Sequence, residues 1–99
     1  MEPRFHQGDA TVHASGDVYR CRANLRCWTD PDSHGTSPYP GLEQWAGRLH
    51  FDSETAAETV LYAAAPYLVL GDTASTFSVE ALDRPTATLT IHGTGPAPL

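Results

Sequence analysis

The groups with chemistry to offer in this chain are five histidines, six arginines, two cysteines and an acidic stretch rich in proline and glycine. His13, His50 and His92 share the polar faces of three separate alternating segments. Were those segments neighbours, the three imidazoles could meet at a metal. No His-x-His or His-x-x-x-His spacing supports that, and the plainer reading is a set of solvated side chains. Asp32 and His34 stand two apart in a loop. A carboxylate and an imidazole are the usual proton-transfer pair, so they are the weak candidates for catalysis. Arg20, Arg22 and Arg26 alternate along one segment, and Arg48 lies on the polar face of another. Guanidinium groups clamp carboxylates and phosphates in bidentate fashion. The plainer reading is an exposed basic stripe paired with Glu80, Asp72 or Glu58.

Cys21 and Cys27 lie six residues apart. In one strand that spacing is roughly 20 Å, far beyond the ~7 Å a disulfide tolerates. They read as reduced core thiols, which suits a cytoplasmic protein, and not as a Cys-x-x-Cys redox or zinc site. There is no Walker loop, no dinucleotide fingerprint and no Gly-x-Ser-x-Gly elbow. Gly93-x-Gly95 is followed by Pro96 and cannot open a helix. No cofactor or metal is implied.

These residues need elements to position them. Gln44 to Phe51 is the most informative stretch. Trp45, Gly47, Leu49 and Phe51 form one face; Gln44, Ala46, Arg48 and His50 form the other. It reads as a central strand. Gly47 reads as a point of close approach, as room for Trp45, or as a bend. Asp9 to Ser15 alternates around Val12. Ser15-Gly16-Asp17 signals a hairpin. Val18 to Trp28 alternates Tyr19, Cys21, Ala23, Leu25 and Cys27 against the arginines, and its length predicts a bulge or bend near Asn24. Residues 29–41 form a long loop. Thr55 and Glu58 have capping-box form, which predicts a helix over about 56–65, ended by Pro66. Short strands follow at Tyr67–Leu70, Ser75–Leu82 and Thr86–His92.

About six strands with mostly hairpin connections and one short helix predict an all-β, mainly antiparallel fold, a small barrel or a two-layer sandwich. Its inner face comprises Val12, Tyr19, Cys21, Leu25, Trp45, Leu49, Phe51, Phe77, Val79, Leu89 and Ile91. The chain reads as a single domain over 1–99, with 1–8 and 93–99 as extended or flexible ends. The aromatics read as a filled core, with a ligand cavity as the alternative.

Composition narrows the function. A net charge of -6 argues against nucleic acid, whose affinity rests on phosphate neutralisation, and against anionic membranes. The N-terminus lacks the form of a signal peptide, and no apolar run approaches the ~20 residues of a membrane-spanning helix. Arginine without any lysine, with abundant Ala, Gly, Pro and Thr, points to a GC-rich bacterial genome.

Three pieces carry a resemblance: Gly8-Asp9-Ala10-Thr11-Val12, Trp45-Ala46-Gly47-Arg48-Leu49 and Gly93-Thr94-Gly95-Pro96-Ala97-Pro98. In that order they resemble a small bacterial β-rich domain family of unknown function, whose members occur alone or appended to flavin-dependent monooxygenases. In that family a short turn joins an Asp-Pro pair to the Trp. Here Asp30-Pro31 is followed by a longer loop before Trp45. The resemblance implies a fold and a context in secondary metabolism, not catalytic residues.

The expected function is a small-ligand-binding or accessory module beside a redox or tailoring enzyme. Its partner would be a flavin-dependent enzyme or a small apolar metabolite. The alternatives are a stand-alone barrel enzyme that cyclises, isomerises or dehydrates a hydrophobic metabolite, and a structural homodimer. The expected ligand- or partner-binding residues are Arg48, His50, Tyr19, Trp45 and Arg22. Whether the chain is an enzyme is left open by its sequence.

Overall fold

A computed structural model describes residues 4–29 and 43–99. Six strands close into a barrel: β1 (Arg4–Ala14), β2 (Asp17–Thr29), β3 (Glu43–Phe51), β4 (Tyr67–Leu70), β5 (Thr73–Asp83) and β6 (Thr88–Gly93), with helix α1 (Glu54–Tyr62) between β3 and β4. The order around the ring is β1-β2-β3-β6-β5-β4, and every neighbouring pair is antiparallel. The fold is therefore a barrel and not a sandwich.

This order explains the helix. β3 and β4 stand three places apart in a ring of six, on opposite walls. The chain must cross one mouth of the barrel to pass between them. At ~1.5 Å per residue, nine helical residues span about 13 Å. α1 makes that crossing, and Ala57 and Val60 are driven fully into the mouth. Its N-cap is Ser53, whose hydroxyl accepts from Ala56 N at 3.1 Å. The expected cap, Thr55, is instead inside the first turn, where its carbonyl accepts from Thr59 Oγ1. The helix ends at Tyr62, earlier than expected. Continuing it would drive the Pro66 ring into the carbonyl four residues back, so Ala63 is already extended. Among the described residues no helix is long and apolar enough to cross a membrane.

The strands alternate as their sequences require, with several shifts. Arg4 to Gly8, expected as a loose lead-in, is the first half of β1 and pairs with Ala23 to Cys27. Ser15 and Gly16 have φ of 53° and 85°. Two positive values make a two-residue turn whose twist matches the strands it joins. β2 pairs without interruption past Asn24 on both sides, so the expected bulge is not there. The irregularity is in β5, between Val79 and Ala81, where Glu80 is the extra residue. β6 begins at Thr88, because Ala87 adopts a left-handed φ of 51° to complete the turn from Arg84. Its carbonyl accepts from Phe51 N at 2.9 Å.

The interior is filled from all sides. Val12, Leu25, Cys27, Trp45, Leu49, Phe51, Leu68, Leu89 and Ile91 are all fully buried, and Phe77 nearly so. Tyr19 and Val79 are partly buried against this core. Both cysteines are free and buried. Of residues 93–99, expected as an extended or flexible end, Gly93 closes β6 and 94–99 are tied down. Thr94 N and Gly95 N donate to Thr76 O, and Ser75 Oγ to Pro96 O. The Trp45 indole N–H donates to Gly95 O at 3.0 Å, and Arg4 reaches Leu99 O at 2.9 Å. Pro98 is buried by this arrangement.

Candidate functional site

With the interior occupied, the chemistry falls to the outer surface. Pairing registers place the outward side chains of β2, β3 and β6 in rows. Arg22 stands opposite His50, and His50 opposite Thr88. In the next row Asn24 faces Arg48, and Arg48 faces Thr90. In the third, Phe5 faces Arg26, Arg26 faces Ala46, and Ala46 faces His92. Alternation dictates this placement: each residue is two positions from the next along its strand and so shares its face.

Two depressions mark this surface. One, of about 610 Å³, is bordered by Asp9, Thr11, Arg20, Arg22, Asp52 and Val69. Its two arginines are matched by two aspartates. The other is a groove of about 510 Å³ that runs from Phe5 over Asn24, Arg26, Trp28, Gly47 and Arg48 to Glu80 and His92. It carries two arginines against one glutamate. Aromatic bulk flanks them: Phe5 is 71% exposed, and the Arg26 guanidinium carbon lies 5.1 Å from the centroid of the Trp28 ring. The cation is thereby held against the ring face, attracted by its quadrupole.

Arg20, Arg22, Arg26 and Arg48 are all exposed. Among the described residues none of them makes an ion pair, so the expected pairing with Glu80, Asp72 or Glu58 does not form. It is Arg84, at the β5–β6 turn, that binds Glu58, together with Glu54 at 3.3 Å. His50 Nδ1 is 3.2 Å from Thr88 Oγ1. His13 stacks on Tyr67, with centroids 4.8 Å apart and planes at 11°. The three strand histidines are thus placed apart, each with its own neighbours. No group of three or more metal-ligating side chains occurs among the described residues.

Of the expected binding residues, Arg22, Arg48 and His50 come together on one outer face. Trp45 and Tyr19 do not join them. Both point to the inner side, Trp45 completely enclosed and Tyr19 packed on the core, because they alternate with the outward residues. Asp32 and His34 lie outside the described residues. Sequence reading passed over Phe5 as a neighbour of Arg48, and offered Glu80 only as an ion-pair partner of the arginines. Phe5 sits in a segment whose inward residues, Arg4, His6 and Gly8, give no apolar alternation to reveal a strand. Glu80 reaches the groove through the bulge.

Cys21 is not an available nucleophile. Burial, with a smaller contribution from the Asp9 carboxylate, pushes its thiol up to about 12 from 9.0. The unfolded chain releases this proton near pH 9, while the folded chain keeps it. Stability from this group is therefore full below pH 9 and is lost progressively as pH rises towards 12. Urea midpoints are expected to fall across that range, and Cys21→Ala to flatten the fall. An unchanged slope in the variant would reject the assignment.

No protein-family model, curated protein or solved structure matches this chain.

Proposed function

We propose that this chain is a non-catalytic accessory module of the bacterial cytoplasm. It acts beside a redox or tailoring enzyme, by resemblance a flavin-dependent monooxygenase, and holds that enzyme through the outer face of β2, β3 and β6. The observation that carries the reading is the contrast between inside and outside. Side chains from all six strands fill the barrel, leaving its centre to packing and not to a metabolite. The exposed face, by contrast, concentrates four arginines in a chain of net charge -6. Between the two partners expected from the sequence, this favours the enzyme over a small apolar ligand. It also weighs against a stand-alone enzyme that encloses its substrate.

The reading is tested by co-expressing the chain with flavin-dependent monooxygenases from its own genome. Co-elution at fixed stoichiometry in size-exclusion chromatography is the expected result. Separate elution, or turnover of a hydrophobic metabolite by this chain alone, would overturn it.

A further inference from the structure

We infer that the groove between Phe5 and His92 receives an acidic, extended segment of a partner polypeptide that carries an aromatic or large aliphatic side chain. The inference rests on the accessory role just proposed and specifies the chemistry of its contact.

The charge comes first. Six arginines are the only strong cations of the chain against twelve carboxylates. Four of the six share one outer face, and among the described residues these four have no ion-pair partner. Asp9 and Asp52 border Arg20 and Arg22, and Glu80 alone borders Arg26 and Arg48, so among the described residues the net positive part of the stripe is the groove. The rest of the molecule is acidic: Asp17, Glu54, Glu58, Asp72 and Asp83 lie elsewhere on the surface. An acidic partner is repelled from those approaches and attracted to this one. Such an arrangement sets orientation as much as affinity.

The apolar component follows from Phe5 and Trp28. An exposed phenyl beside a guanidinium-stacked indole has the composition of an interface centre, where Trp, Phe and Arg are enriched. Gly47 borders the groove with its backbone alone, since the missing side chain faces inward against Leu25. The groove is bordered by residues of β1, β2, β3, β6 and β5. Nucleic acid fits less well. A few arginines on a chain of net charge -6 release few counterions.

The test uses the full chain and a labelled synthetic peptide of alternating Asp, Phe and Glu, eight residues long. Its controls are the same peptide with lysine for each acid, and a single-stranded DNA oligomer. Saturable binding below about 1 mM is expected, with amide shift changes confined to Phe5, residues 24–28, 46–48 and 90–92. Arg48→Glu and Arg26→Glu should each weaken binding roughly fivefold or more at low salt, and Phe5→Ser should weaken it independently of salt. Arg84→Gln, at the far end, should change nothing. All four positions are exposed, and the amide spectrum of each variant reports its folding.

Equal binding of the lysine peptide, tighter binding of the DNA, or shifts centred on Asp9 and Arg20 would overturn the inference. So would the same shifts appearing on concentration of the protein alone, which would make the occupant a second copy. If the flavin-dependent enzyme co-elutes but Arg48→Glu leaves co-elution intact, this inference fails and the accessory role stands. If the acidic peptide maps to the groove and the enzyme does not co-elute, the accessory role fails instead.

Discussion

Trp45→Ala is expected to remove about 3–5 kcal/mol from the unfolding free energy, the usual cost of emptying a buried tryptophan site. A domain of this length has about 5–15 kcal/mol to lose, so the variant should be barely folded at room temperature. Trp45 is fully enclosed and performs two tasks at once. Its ring fills the barrel beneath the tail, and its N–H holds Gly95 O at 3.0 Å. The ring also lies directly over Gly93, where a Cβ would fall inside the van der Waals surface of the indole. The two positions should therefore be coupled. Gly93→Ala is expected to cost about 2 kcal/mol in the natural chain, within the range for overpacking. In a Trp45→Leu background, with the indole gone, it should be close to neutral. Urea denaturation of the four proteins gives the coupling energy directly. Additive effects would show that the indole does not set the requirement for glycine at position 93.

Gly47→Ala should be comparably damaging for a different reason, and Trp45→Leu should not rescue it. A Cβ at this position would stand 2.8 Å from Leu25 Cα and 2.9 Å from Leu25 Cδ2, with Asn24 O nearer still. Carbon atoms rest at about 3.5–4.0 Å. Two of the obstacles are backbone atoms of the neighbouring strand, and they can retreat only if β2 moves off β3. The pair Leu25–Gly47 lies in the middle of a nine-residue ladder, so such a retreat disturbs pairing on both sides. A loss of about 3 kcal/mol, the upper end of the overpacking range, or failure to fold, is expected. A variant within about 0.5 kcal/mol of the natural chain, the ordinary scatter for surface substitutions, would refute the close approach.

These two glycines show where sequence reading was sharp and where it was not. Gly47 was legible as a position that lets backbone approach closely, because it interrupts an otherwise bulky inward row. Its other reading, as room for Trp45, belongs to Gly93, forty-six positions along the chain. No local pattern connects those two residues. β3 and β6 become neighbours only because the second three-stranded meander is laid against the first in reverse order. The same fact decides the candidate site. Period-two alternation placed Arg22, Arg26, Arg48, His50 and His92 on outward faces, but only the pairing of β2, β3 and β6 made them one surface. It likewise separated Trp45 and Tyr19 from Arg48, although alternation along each strand already implied opposite sides.

Local errors had local causes. The N-cap moved from Thr55 to Ser53 because both hydroxyl residues precede a helical pattern, and the chain's exit from β3 selects the earlier one. The bulge appeared at Glu80 and not at Asn24, since the register mismatch arises where β5 curls around β6, not where a strand is merely long. The tail looked unattached because its partners, Thr76, Ser75, Trp45 and Arg4, are distant in sequence.

The sequence by itself determined the strand faces, the hairpin at Ser15-Gly16, the presence of one short helix and the inward set of apolar side chains. Each of these depends on spacing within a few residues, which alternation and turn chemistry specify directly. Only the tertiary structure decided that the sheet closes, that α1 stops one mouth while the tail is tied to Ser75, Thr76 and Trp45, and that four arginines with no ion pair among the described residues share one surface. Those outcomes depend on which strands meet around the ring, and strand order is set by packing of the whole core, not by any segment alone.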